Sequence, residues 1–139
     1  MKSAPRDQAC IPLIDLDVIA DLRKLEDGPG SAYLVDLYGA FAADAHSTLD
    51  RMRTLAWGGD AQKIAREAHR LKGSSGSMGA TRLSTGCRQI EEGARGGRLE
   101  KLPVEIERTA RLLESTMEAV RCLLGLLRPT GEGPGESAR

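Results

Sequence analysis

The residues best equipped for chemistry are an imidazole, an ammonium three positions later and the glycine beside it: His69, Lys72 and Gly73. They lie in a stretch reading Glu-Ala-His-Arg-Leu-Lys-Gly-Ser-Ser-Gly-Ser-Met-Gly-Ala from Glu67 to Ala80, which holds one of only two histidines in the chain. An exposed neutral imidazole is a nucleophile and can take a phosphoryl group on a ring nitrogen. A lysine next to it can neutralise the incoming phosphoryl oxygens, the main task left to a protein in phosphoryl transfer. Ser74 and Ser75 can add hydroxyl donors nearby, with Ser75 aimed more toward the interior. Further along, Glu91 can accept a proton from the second ring nitrogen and so orient the imidazole, and Arg95 can lie near the phosphate site.

Such a site needs a helix to hold it. At about 100° per residue, Ile64, Ala68, Leu71, Ser75 and Met78 fall on one stripe, the face that must be buried. His69 then stands roughly 140° from the centre of that stripe and points into solvent, with Ala65, Arg66, Lys72, Gly73 and Gly76 on its own side. Helical side chains lean toward the N-terminus, so Lys72 and Gly73 lie back over the ring. The lysine brings a flexible cation to the imidazole, and the glycine leaves the ring open to something large. A glycine inside a helix costs about 1 kcal/mol relative to alanine. Access to His69 accounts for placing two, Gly73 and Gly76, on one exposed face.

The rest of the chain supplies the scaffold. Residues 1–14 lack periodicity and contain Pro5 and Pro12, which predicts a flexible N-terminal lead-in. Asp15 or Asp17 can cap a short helix carrying Val18, Ile19, Leu22 and Leu25, stopped by Gly28-Pro29-Gly30. Ser31 is the expected cap of a long helix carrying Leu34, Leu37, Tyr38, Phe41, Ala45, Leu49, Met52 and Leu55 at helical spacing. Gly58-Gly59 ends it, Asp60 caps the helix of His69, and Gly79 breaks the chain again. A further helix turns Leu83, Cys87, Ile90 and Ala94 inward and Arg82, Arg88, Glu92 and Arg95 outward, closed by Gly96-Gly97. After Pro103 the last helix presents Ile106, Leu113, Met117, Val120, Leu124 and Leu127. Residues 129–139 are glycine, proline, serine and charge, a composition that predicts a disordered C-terminal tail. Four long amphipathic helices joined by glycine turns, with no alternating strand pattern, predict an all-α fold over residues 15–128. Its architecture is an up-and-down antiparallel four-helix bundle with a short additional N-terminal helix over one end.

Composition removes several functions. With 20 Lys and Arg against 20 Asp and Glu, the formal net charge is +0, without the basic surplus of a nucleic-acid binder. Aromatic residues make up 3% of the chain, too few for base-stacking platforms. Cys10, Cys87 and Cys122 are odd in number and widely spaced, as reduced cytoplasmic thiols would be. The N-terminus has no apolar export segment, and no apolar run is long enough to insert in a membrane. His46 and His69 lack a chelating spacing, which leaves no metal site. A Walker loop and a glycine-rich ATP lid are both missing, so any phosphoryl group must come from elsewhere.

The chain resembles the histidine phosphotransfer domain of bacterial two-component phosphorelays, whose phosphorylated histidine sits in a His-x-Leu-Lys-Gly-Ser-Ser motif followed by Gly-Ala. His69, Leu71, Lys72, Gly73, Ser74, Ser75, Gly79 and Ala80 match that motif position by position. The likeness runs from the first short helix to the end of the last and includes Cys87, Ile90 and Glu91 as Cys-x-x-Ile-Glu. The resemblance implies His69 as phospho-acceptor, Lys72 as phosphate-steering cation and Gly73 as the clearance residue. Glu91 stands where the family has a glutamine or glutamate that hydrogen-bonds the imidazole. It also implies shuttling between receiver domains, one on a hybrid sensor kinase and one on a response regulator. The divalent metal ion would come from the receiver, so the chain itself needs no cofactor. Ala65, Gly76 and an exposed apolar residue of the long helix, Leu37 or Tyr38, become docking candidates. Beginning at Met1 without a kinase or receiver segment, the chain reads as a freestanding module, and a bundle that buries its own stripes is expected to be a monomer.

Plainer readings compete for most of these residues. His46 has no chemical company and reads as a solvated helix residue. Cys87 and Cys122 read as small buried apolar residues, Met78 and Met117 as core filler, and the arginines at 82, 88, 95 and 98 as a solvated face. At the level of function, the rivals are a helical adaptor that binds receivers without accepting phosphate and a receiver-directed phosphatase using His69 as general base. An intact acceptor motif disfavours the adaptor. The lack of a second convergent acid or amide beside His69 disfavours the phosphatase.

Overall fold

The computed structural model describes residues 11–25 and 32–125, which form five helices and, among the described residues, no strand. The helices are α1 Leu16–Arg23, α2 Ala32–Gly58, α3 Ala61–Ser77, α4 Thr81–Arg95 and α5 Leu102–Leu123, with a 3-10 turn at Leu99–Lys101 leading into α5. Around the bundle α2 packs on α3, α3 on α4, α4 on α5 and α5 back on α2. This is the all-α bundle with an added N-terminal helix that the periodicities predict.

The core follows the apolar stripes. Leu34, Tyr38, Phe41, Ala45, Leu49 and Met52 of α2 meet Ile64, Ala68 and Leu71 of α3, Leu83, Cys87 and Ile90 of α4 and Ile106, Leu113 and Val120 of α5, all buried. Local signals set the helix starts. The Asp15 carboxylate accepts from the Asp17 N–H at 3.0 Å, the Asp60 carboxylate accepts from the Lys63 N–H at 3.2 Å, and Pro103 lies in the first turn of α5. Gly86 lets α4 approach α5: a Cβ there would lie 2.9 Å from Thr109 Oγ1.

The turn between α3 and α4 also anchors α1. Gly79 has a φ of +76°, its carbonyl accepts from the Asp15 N–H at 2.7 Å, and a Cβ at this position would come within 3.0 Å of Val18 Cβ. Left-handed backbone disfavours a side chain by about 1–2 kcal/mol before any clash is added. Gly79→Ala is therefore expected to destabilise the fold by about 2–3 kcal/mol, read as a lowered urea midpoint. An unchanged midpoint would show that this turn relaxes freely.

Four expectations change. The lead-in expected to be loose through residue 14 is tied down from Ile11: Arg82 donates to the Ile11 carbonyl from Nε at 3.0 Å and Nη2 at 2.7 Å, and Ile14 is buried. Arg82 is thus a clamp, not part of a solvated face. Leu25 is 61% exposed because α1 ends at Arg23, before its last apolar position can reach the core. Cys122 is exposed, since the α5 stripe runs through Val120 and Leu124 and leaves residue 122 on the far side. The Gly28-Pro29-Gly30 stop, the Ser31 cap, residues 1–10 with Cys10, Leu127 and the tail lie outside the described residues. No helix among the described residues is long and apolar enough to cross a membrane.

Candidate functional site

α3 is fixed by its buried stripe, and the stripe decides where His69 points. Ile64, Ala68, Leu71, Ser75 and Met78 are all buried, which turns the His69 side chain outward with 63% of its surface exposed. α4 packs alongside and brings in Glu91, whose carboxylate is only 10% exposed. Glu91 Oε2 lies 3.0 Å from His69 Nδ1, and Lys72 Nζ donates to Oε1 at 2.9 Å. Arg95, one turn along α4, donates to Oε2 from Nη2 at 2.8 Å and from Nε at 3.1 Å. One carboxylate thus gathers three donors from two helices.

These contacts set the charge states. The Lys72 ammonium above all, then the Arg95 guanidinium and His69, hold the Glu91 carboxyl down to about 2 against the opposing effect of burial. An ionised carboxylate only accepts hydrogen bonds, so His69 Nδ1 must be the donor. In the neutral ring this leaves the lone pair on Nε2, the nitrogen turned away from Glu91. Two cations on one carboxylate leave a surplus of one positive charge beside the imidazole. A glutamate here therefore does not make the site repel a phosphoryl group.

The same contacts predict a pH dependence. Because Glu91 titrates near 2 when folded and near its ordinary 4.5 when unfolded, the unfolded chain binds more protons between those values. The stability Glu91 contributes is complete above about 4.5 and is lost as pH falls toward 2. The thermal midpoint of the wild-type protein should exceed that of Glu91→Gln near pH 6, and the gap should close on acidification through this window. A gap independent of pH would show that the variant acts through packing alone.

The structure assembles His69, Lys72, Glu91 and Arg95 and leaves other expected residues out. Ser74 sits about 140° around α3 from His69, and its hydroxyl donates back to the Leu71 carbonyl at 3.3 Å and the Arg70 carbonyl at 3.4 Å. It adds no donor at the imidazole. Ala65 is buried at the floor of a depression of about 390 Å³ between α3 and α4, lined also by Ala61, Gln62, Ala94 and Arg95, so it offers no exposed docking surface. Its place on the His69 side of α3 was readable, but the closeness of α4 on that flank was not. Tyr38 is buried and donates its hydroxyl to the Met78 carbonyl at 2.6 Å, which leaves the half-buried Leu37 as the α2 candidate. Gly73 and Gly76 are exposed, and a Cβ on Gly73 would meet nothing within 4 Å.

Away from this cluster, His46 is exposed and lies 3.3 Å from the Glu114 carboxylate. Burial pushes the Cys87 thiol up to about 12, against weaker effects of Ser75 and Lys72, so it is an inert core group. Spacing alone gives Lys72 as a flexible cation beside the imidazole and Arg95 as part of a solvated face; both are held by Glu91. The i,i+4 spacing of Glu91 and Arg95 was the signal for the second contact.

An outward imidazole hydrogen-bonded to a carboxylate on the adjacent helix is the setting in which comparison with known proteins becomes informative. The family model described as Hpt domain matches residues 36–121. The chain belongs to the Hpt domain family. Its fold is similar to the crystal structure of histidine-containing phosphotransfer protein B from Pseudomonas aeruginosa PAO1. The TM-score is 0.74 and the sequence identity 29%, over 84% of this chain and 98% of that one. A search of curated proteins found no significant match. Hpt domains act in histidine phosphotransfer within two-component signalling and work with receiver domains.

Proposed function

We propose that the protein accepts a phosphoryl group on His69 Nε2 from the aspartyl phosphate of one receiver domain and passes it to another. The observation that carries this reading is the hydrogen bond between His69 Nδ1 and the ionised Glu91 carboxylate, which leaves the exposed Nε2 as the nucleophile. In the forward step the Nε2 lone pair forms a bond to phosphorus. The bond from phosphorus to the aspartyl oxygen breaks, and its electron pair stays on the departing carboxylate. The ring, now substituted on Nε2 and protonated on Nδ1, carries a positive charge that faces Glu91. Lys72 and Arg95 balance that carboxylate and present cationic surface to the phosphoryl oxygens. Transfer onward reverses these bonds on a second receiver. The divalent cation of such a transfer belongs to the receiver, and among the described residues no cluster of His, Cys, Asp and Glu could hold a metal ion.

The docking face is α3 around His69, with Gly73 and Gly76 as the clearance and Leu37 of α2 as an apolar contact. A partner that must leave after each transfer calls for a small, reversible interface, and the chain acts as a monomer. The test is to incubate the protein with receiver domains phosphorylated with labelled phosphate. Acid-labile, alkali-stable label on the protein, passed on to a second unphosphorylated receiver, is the expected result. Release of phosphate to water would make the protein a phosphatase, and binding without label would make it an adaptor; either outcome overturns the reading.

A further inference from the structure

On α3, the cations other than Arg66 all have carboxylates within this chain. Lys63 lies 3.8 Å from the Asp60 carboxylate, Arg70 pairs with Asp44 at 3.1 Å and Glu67 at 3.4 Å, and Lys72 pairs with Glu91 at 2.9 Å. Among the described residues, Arg66 has no ion pair or hydrogen-bond partner for its side chain, although it is exposed on the same helix. Its neighbours one turn away, Lys63 and Arg70, are cations, an arrangement that is unfavourable within a helix. It lines a cleft of about 470 Å³ between α2 and α3 with Asp50, Arg51, Thr54, Lys63 and Glu67. The carboxylates of that cleft are already engaged, Asp50 by Arg53 and Glu67 by Arg51 and Arg70. Among the described residues, no ion pair or hydrogen bond rewards an arginine at position 66.

Its position relative to His69 says what would. Arg66 lies about 60° around α3 from His69, on the flank opposite the one that Lys72 and Glu91 occupy. Lys72 comes after His69 and leans back over the ring, whereas Arg66 comes before it and leans away, toward the start of α3. A guanidinium so placed borders the docking face without reaching a group on Nε2. We propose that Arg66 is a partner-recognition residue: it pairs with an acidic side chain on the surface of the docked receiver domain and takes no part in holding the phosphoryl group. This rests on the phosphotransfer reading above.

The test uses a receiver domain from the same organism chosen because it passes label to the wild-type protein; if none does, the phosphotransfer reading itself fails. With such a receiver, Arg66→Ala should weaken binding of the unphosphorylated domain about threefold to fivefold at low salt, and Arg66→Glu on the order of tenfold or more. Both differences should shrink as salt approaches about 1 M. In single-turnover transfer the half-saturating receiver concentration should rise by the same factors, while the limiting rate stays within about twofold of wild type. The thermal midpoint should not fall, because no ion pair or hydrogen bond among the described residues is lost. A reduced limiting rate with unchanged binding would put Arg66 on the phosphoryl group. That outcome, unchanged binding in both variants, or a lowered midpoint would overturn the proposal while leaving the phosphotransfer reading standing.

Discussion

His69→Gln is expected to reduce phosphoryl transfer to the background of the assay while the bundle stays folded. Glutamine has no nucleophilic nitrogen, because its amide lone pair is delocalised, yet its N–H groups can still donate toward Glu91 in the manner of Nδ1. The Lys72 and Arg95 contacts need not rearrange, since both are made to the Glu91 carboxylate and neither to the ring. With 63% of the side chain exposed, the substitution removes little buried surface, and the change in stability should stay within about 0.5 kcal/mol. The measurement is label retained on the protein after incubation with a phosphorylated receiver, alongside a thermal melt. His46→Gln is the matching control: His46 sits against Glu114 on α5, away from the α4 carboxylate, and its loss should leave labelling intact. Equal labelling of His69→Gln and wild type would move the acceptor elsewhere and dismantle the reading of the whole site.

The contrast between these histidines shows what a sequence can and cannot supply. Periodicity fixes which side of a helix is buried, so the outward turn of His69 and the inward Ile64 to Met78 stripe followed from spacing alone. It does not fix where the next helix lies. Ala65 and Lys72 share the His69 side of α3, but α4 packs against that flank, burying the first and pairing the second with Glu91. Glu91 was legible as a candidate because it follows the Cys87 and Ile90 stripe at the edge of the buried face. That it would collect Lys72 and Arg95 as well as the imidazole depends on the separation of α3 and α4, which no single-helix pattern encodes. Tyr38 shows the same limit: its ring lay on the expected stripe, while its hydroxyl reaches the Met78 carbonyl across the bundle. Helix identity and facing come from local pattern, and pairing comes from packing.

Packing among the described residues gives no reason for a glycine at position 73, and Gly73 yields the second large effect. It is exposed in the last turns of α3, and a Cβ there would meet nothing within 4 Å, so the free protein has room for a side chain. Leucine is among the better helix formers, and replacing a mid-helix glycine by one should stabilise the helix by about 0.5–1 kcal/mol. That corresponds to a rise of roughly 2–4 °C in the thermal midpoint of Gly73→Leu for a domain of this size. Transfer should move the other way. Gly73 lies about 40° around the helix from His69 and one turn beyond it, leaning back over the ring, so a leucine there occupies the space through which the aspartyl phosphate must approach Nε2. Displacing reacting atoms by about 1 Å is enough to slow a reaction on the order of a hundredfold, the loss expected in single-turnover transfer. Gly73→Ala should fall between, more stable than wild type and moderately slower. A variant that gains stability while losing transfer locates the reason for the glycine in the docked complex. Unchanged transfer in Gly73→Leu would show that the receiver reaches Nε2 from another side, and a lowered midpoint would show that the glycine serves the fold.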